Sequence, residues 1–279
     1  MMKYRINHTT IYTYLEPVSL CHNVLRLAPR NTGRQVCRDV TVKIHPEPDT
    51  IREYEDFFGN KVLYFSIEKE HGQLRVNVHS EIEKKAAGDG VDLPDDGQEA
   101  GEISQFIFET PMTACTEEIA AYARMSFDGK RPVLDAAGDL MHRIYKDFRF
   151  TPGFTTVSTP LSVVMRERKG VCQDFAHLAI ACVRSVGLPA RYVSGYIETI
   201  SPPGVEKLIG VDASHAWFSV YIPYIGWVDF DPTNNVLPGD QHITIGWGRD
   251  YADIAPMKGI IISSGHHGLS VSVDVKRLT

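Results

Sequence analysis

Disulfide pairs, metal-ligand spacings and membrane spans are all missing from this 279-residue chain. Its five cysteines, Cys21, Cys37, Cys115, Cys172 and Cys182, are odd in number and widely scattered, with no CxxC pair, so no disulfide framework is expected. Cys172, His177 and Cys182 step by five residues along one predicted helix. Such steps do not converge on one face, so no metal is expected there. No EF-hand-like aspartate pattern occurs, and no cofactor is expected. No apolar stretch is long enough to span a bilayer. The opening "MMKYRINHTTIYTY" lacks the basic segment and apolar run of a secretory signal, which predicts a cytoplasmic protein with no membrane partner. Positive charge is also short: 29 Lys and Arg face 35 Asp and Glu, for a net charge of −6. No nucleic-acid partner is expected of such a chain.

What is present suits a globular protein, with 43% hydrophobic and 23% charged residues. The length is large for a single core and sets a prior of about two domains. Residues 1–85 are strand-like: "KYRINHTTIYTY", "VCRDVTVKIH", "KVLYFSIEK" and "QLRVNVHSEIE" are rich in β-branched and aromatic residues, with a Gly59-Asn60 turn between two of them. Repeated strands without a helical pattern predict a β-sandwich-like amino-terminal domain. Residues 86–101 carry five acidic residues and no basic one among several breakers, and are expected to be a linker. Residues 102–279 are predicted to form an α+β second domain, helices packed on an antiparallel sheet. "TEEIAAYARMSF" and "PVLDAAGDLMHRIYKDF" show helical spacing through Leu134, Ala137, Leu140, Ile144, Tyr145 and Phe148. In "STPLSVVMRERKG", Thr159 is placed to cap a helix and Pro160 to open it. A further helix runs from about Cys172 to Val186, closed by Gly187 and Pro189. "RYVSGYI", "SHAWFSVYI" and "GWVDFD" are expected strands, and the tail suggests two more.

Cys172 sits at the first turn of its helix, where unsatisfied N–H groups and the helix dipole favour an anion such as a thiolate. Cys182 lies in the apolar stripe and is expected to be buried and inert, as are Cys21, Cys37 and Cys115. In "DASHAWFSVYIPYIGWVDFDPTNN", alternation puts Phe218, Val220, Ile222, Val228 and Phe230 on core faces. His215, Trp217, Ser219, Asp229 and Asp231 share the opposite face. If "IPYIG" is a five-residue connection, Tyr221 lies opposite Trp227 and Asp229 opposite Ser219, leaving Asp231 diagonal to His215; a four-residue turn would swap the faces, and the five-residue register is taken because it keeps the apolar residues together. A cysteine at a helix start with a His–Asp pair on a sheet is what thiol acyl chemistry needs: a nucleophile, a proton carrier, and a carboxylate that fixes the imidazole's tautomer.

The segments "RKGVCQDFAHLAIACVRSVGLPARYVSGY", "SHAW", "GWVDFDPTN" and "GRDYADIAP" together resemble the bacterial transglutaminase-like superfamily, which is similar in fold to papain-type cysteine proteases. The resemblance implies that Cys172 is the nucleophile, His215 the base and acid, and Asp231 the orienting carboxylate. It also implies a β-rich domain ahead of the core. A protein or peptide substrate follows, with hydrolysis of an amide bond through a thioester acyl-enzyme as the favoured activity. Two alternatives stand beside it: a protein-glutamine transglutaminase, in which an amine resolves the same thioester, and a non-catalytic binding module, which loss of a triad member would signal. His177 is expected to face the core and donate a structural hydrogen bond there. Gln173 is a candidate second oxyanion donor that also suits solvent, His266 and His267 suit an exposed turn, and Trp217 and Trp227 suit either a cleft or burial beside the sheet.

Overall fold

The computed structural model describes residues 1–85, 100–199, 213–262 and 265–278. The first part is built from β1 (Met2–Val18), β2 (Leu20–Leu25), β3 (Gln35–His45), β4 (Thr50–Glu55), β5 (Lys61–Ile67) and β6 (His71–Lys84). Alternation along β6, where Leu74, Val76 and Val78 are buried, turns one face inward against Cys21, Leu25 and Phe65 of the facing sheet, so the strands make a sandwich. The Gly59-Asn60 turn forms as expected: Gly59 takes φ +70° and Asp56 Oδ1 accepts from the Phe58 and Asn60 amides.

Helices follow: α1 (Ala100–Ser104), α2 (Glu117–Arg124), α3 (Val133–Asp147), α4 (Leu161–Glu167) and α5 (Cys172–Ser185), with the two-residue parallel strands β7 (Arg149–Phe150) and β8 (Lys169–Gly170) between them. Thr116 caps α2 through its hydroxyl. Thr159 does not cap α4: its hydroxyl accepts from the Thr156 amide, and Pro160 stands one place later at the N-cap. In α3 the predicted stripe is buried at Ala137, Leu140 and Ile144, while Leu134 and Tyr145 are exposed. α5 is buried on every side from Asp174 to Arg184, as an apolar helix at the centre of a fold must be.

That helix packs on an antiparallel sheet of order β11-β10-β9-β12, formed by β9 (Ala190–Ile197), β10 (Ala213–Ile222), β11 (Gly226–Phe230) and β12 (His242–Gly248). The fold is therefore α+β, with a sandwich followed by helices on an antiparallel sheet. After α6 (Tyr251–Ile254), the last strands β13 (Met257–Ile262) and β14 (His267–Leu278) leave this sheet. β13 pairs with β2 and β14 with β1 along almost its full length, so the tail completes both sandwich sheets, giving orders β14-β1-β6-β3 and β13-β2-β5-β4. The expected 86–101 linker lies largely outside the described residues, which resume at Ala100 in α1. Among the described residues, no helix is long and apolar enough to cross a membrane.

Apolar packing and hydrogen bonds lock the sandwich to the second sheet. Tyr4, Ile6 and Ile82 bury against Tyr196, Ile243 and Ile245. β12 would otherwise be an open edge, a row of unpaired backbone groups. Two side-chain amides cover it: Gln35 bonds both N–H and C=O of Thr244, at 3.0 and 2.7 Å, and Asn60 does the same at Trp247, at 3.0 and 2.8 Å.

Candidate active site

The site grows from the start of α5. Val171 at the N-cap has no side-chain oxygen, so the cap is supplied in reverse: the buried Asp174 carboxylate accepts the Val171 amide at 2.8 Å and the Thr155 hydroxyl at 2.6 Å. Gly170 is required beside it, since a Cβ there would stand 2.8 Å from Asp174 Oδ2. This fixes the chain entering the helix, and Cys172 becomes its first residue, half-buried, with its thiol at the rim of the helical core. An amide at that position has no acceptor within its own helix.

Strands β10 and β11 adopt the register that the sequence predicts. Ser219 pairs with Asp229, Val220 with Val228 and Tyr221 with Trp227. Phe218 and Phe230 stack at 5.3 Å under the helices. On the other face, His215 Nε2 lies 2.7 Å from Asp231 Oδ2. Asp231 is fully buried and accepts four further bonds. Oδ1 takes the Thr233 and Asn234 amides at 2.9 and 3.2 Å, and Oδ2 takes Asn234 Nδ2 at 2.7 Å and His242 Nε2 at 2.9 Å. Burial alone would raise its pKa, but the bonds from His215 and His242 outweigh burial and hold the carboxyl below the usual carboxylate range. An ionised carboxylate only accepts, so both histidines carry their proton on Nε2. Asn234 Nδ2 also lies 3.3 Å from His215 Nε2, a contact between two donors that share one acceptor.

With Nε2 spent on Asp231, Nδ1 of His215 is left for a second partner, and Cys172 lies close enough to act on the charge of the ring. Burial of His215 works against its charge, yet the bond to Asp231, its carboxylate charge and the neighbouring Cys172 push its pKa up to about 9. The structure thus brings together all three residues picked from the sequence: Cys172 from a helix start, His215 from a strand, and Asp231 from the turn after the next strand. His215, Asp231 and His242 each bring a potential ligand atom within 4.8 Å of the others. Those atoms are engaged in the bonds just described, and a cation would have to displace both imidazole protons from one carboxylate oxygen.

The remaining sequence candidates separate. Trp217 is fully buried: its indole lies across Gly195 and donates to Asp229 Oδ2 at 3.0 Å, so it faces no cleft. Trp227 is half-buried against Phe106 and the Arg191 guanidinium. His177 does face the core, but it accepts rather than donates there: Nε2 receives the Tyr251 amide at 3.1 Å, and burial lowers its pKa to about 3. Gln173 is half-buried, and His266 and His267 are exposed. Cys182 and Cys21 are buried as expected, whereas Cys37 and Cys115 are only half-buried. Desolvation raises the pKa of all four thiols. Two groups at the site escape sequence reasoning, Asn234 and His242. The β-branched alternation in "HITI" was the available signal for the strand that carries His242.

Residues 4–83 match the bacterial transglutaminase-like N-terminal region, and residues 120–232 match the transglutaminase-like superfamily core. An uncharacterized protein of Mycobacterium tuberculosis is 37% identical over 289 residues, covering 98% of this chain and 92% of that protein. A protein-glutamine gamma-glutamyltransferase of Pseudomonas aeruginosa is 36% identical over 72 residues, covering 25% of this chain and 11% of that enzyme. The solved structure of a candidate cysteine protease from Cytophaga hutchinsonii superposes with a TM-score of 0.79 at 22% identity, covering 100% of this chain and 91% of that one. The two family matches, an N-terminal region followed by a core, place the chain in the transglutaminase-like superfamily.

Proposed function

We propose that the chain is a cysteine-dependent amide hydrolase acting on a protein or peptide. The observation that carries this reading is the buried His215–Asp231 hydrogen bond, with Cys172 beside the same imidazole at the start of α5. The Cys172 thiolate attacks the carbonyl carbon of the scissile amide. The carbonyl oxygen gains charge facing the free amide at the start of α5. His215 delivers its Nδ1 proton to the departing amine nitrogen, and the C–N bond breaks to leave a thioester on Cys172. Neutral His215 then takes a proton from water as the hydroxyl adds to the thioester carbonyl. The C–S bond breaks, and the free acid leaves with the thiolate–imidazolium pair restored. Asp231 holds the ring in the tautomer that keeps Nδ1 on the sulfur side throughout.

The local likeness to a protein-glutamine gamma-glutamyltransferase supports a second reading, in which a primary amine replaces water at the thioester. One experiment separates the two. Digestion of a peptide library in the presence of millimolar primary amine is expected to give mostly free acids. Dominant amine adducts would replace hydrolysis by transfer. The nucleophile is tested by limited alkylation with iodoacetamide and peptide mapping: Cys172 is expected to label ahead of the other four cysteines, and Cys172→Ala to abolish turnover while the protein still folds. Preferential labelling of Cys182, or turnover retained in Cys172→Ala, would overturn the assignment.

A further inference from the structure

Asp231 Oδ2 is held from two sides. His215 approaches from β10 at 2.7 Å and His242 from β12 at 2.9 Å, with the two rings 5.9 Å apart. His242 is buried, and the Trp217 indole packs edge-on against it at 5.3 Å. Its position depends on β12, and β12 depends on the sandwich. Gln35 and Asn60 occupy its outer edge. Lys84, at the end of β6, is itself buried and sends its ammonium onto the carbonyl of His242 and, at 2.7 Å, onto that of Gly239. An ammonium held by main-chain carbonyls fixes the strand that carries the imidazole.

We infer that His242 is a positioning residue for the proposed Cys172–His215–Asp231 chemistry, and that the amino-terminal sandwich, through Lys84 and β12, sets the carboxylate that orients the base. The inference rests on the hydrolase reading above. It gives the sandwich a part in the reaction: the line Lys84, His242, Asp231, His215, Cys172 crosses both sheets. His242 takes no proton from substrate. The Thr233 and Asn234 amides hold Oδ1, and His242 with Asn234 Nδ2 pins Oδ2 so that the His215 bond keeps its length and direction. The titratable groups facing His215 are Cys172 on α5, Asp231 after β11 and His242 on β12. Lys84 reaches the same strand through its main chain.

The test reads the charge of His215 and needs no substrate. The rate of Cys172 carboxymethylation by iodoacetate, divided by its rate with uncharged iodoacetamide, is followed from about pH 6 to 11. Anionic iodoacetate is favoured while the adjacent imidazolium is present, so the wild-type ratio is expected to fall near pH 9, where His215 loses its proton. His242→Phe keeps a ring but offers no donor. Its limb is expected to move down by about one pH unit or more, because a displaced carboxylate stabilises the imidazolium less. His242→Gln places an amide N–H where Nε2 stood and is expected to return the limb to within about 0.3 unit of wild type. Lys84→Met is expected to move it down by less than His242→Phe. A His242→Phe limb that stays in place or moves up overturns the inference, as does a His242→Gln limb displaced as far as His242→Phe. A wild-type ratio with no limb at all overturns the Cys172–His215 pairing itself, which separates the two failures.

Discussion

Two aspartates two residues apart on one strand face do different work. Asp231 holds His215, His242 and Asn234, whereas Asp229 holds only the Trp217 indole among these groups. Asp231→Asn puts an amide nitrogen or a weaker neutral acceptor opposite His215, and a comparable change in a serine enzyme costs about 10⁴ in turnover. A thiolate needs less help from its base, so a kcat loss of at least about a hundredfold is expected, with KM little changed. Asp229→Asn keeps one oxygen for the Trp217 N–H and is expected to stay within a few-fold of wild type. Turnover of both variants on one substrate checks the pair. A large loss at Asp229 with a mild one at Asp231 would reverse the roles. Alternation in the sequence puts both aspartates on one face and cannot choose between them; the register that keeps the apolar residues together, and the "DPT" motif, favour Asp231, and the strands adopt that register.

At the scale of elements, glycines show where strands and side chains must approach. Gly195 on β9 lies beneath the Trp217 indole, and a Cβ there would stand 2.4 Å from the ring and 2.3 Å from the Ile243 carbonyl oxygen. Gly195→Ala therefore forces the indole off the sheet, beside His242 and Asp229. A loss of roughly 2 kcal/mol or more in urea unfolding is expected. Gly138 within α3 is surrounded by open space: a Cβ at that position would meet nothing within 4 Å. Gly138→Ala is expected to stabilise by roughly 0.5–1 kcal/mol through helix propensity. Equal effects at the two positions would mean that the indole does not press on the β9 backbone. The same element scale explains β12. Its sequence is short, interrupted by Gly246, and bulged against β9 between Thr244 and Gly246, so the alternation in "HITI" is a weak strand signal that runs for only a few residues.

For the molecule as a whole, buried histidines set the acid limit. Burial lowers His8 to about 4 and His177 to about 3, while both regain an ordinary value near 6.5 on unfolding. Above that value neither state binds the protons. As pH falls from about 6.5 toward 4, the unfolded chain takes up two protons that the fold refuses, so stability falls with a slope approaching about 2.7 kcal/mol per pH unit, twice the single-proton value. His215 has the opposite sign. Its pKa is raised to about 9, so its contribution is complete below 6.5 and is lost as pH rises through about 9. Asp231, held low, adds its own loss only below the ordinary carboxylate range. Urea unfolding from pH 4 to 8 checks this. His8→Gln is expected to remove about half of the acid slope, and an unchanged slope would show that His8 is protonated in the fold.

The sequence by itself determined what local periodicity and short-range chemistry can carry. The bounds of α5 came from a glycine before Cys172 and from Gly187 and Pro189 after it. The β10–β11 register came from keeping the apolar residues of both strands on one face across a five-residue connection, and with it the meeting of His215 and Asp231. Tertiary structure decided whatever depends on partners distant in sequence. The pattern of β13 and β14 marks them as strands, yet nothing local says that they pair with β2 and β1, more than two hundred residues away, rather than with their neighbours β9 to β12. His242 looks like any strand-start histidine until β12 sets it against Asp231, and β12 is held there by Gln35, Asn60 and Lys84 from the other end of the chain. Hydrogen bonds between side chains and a distant edge strand leave no period in the sequence. Their register is fixed only when two sheets distant in sequence are pressed together by a shared apolar surface.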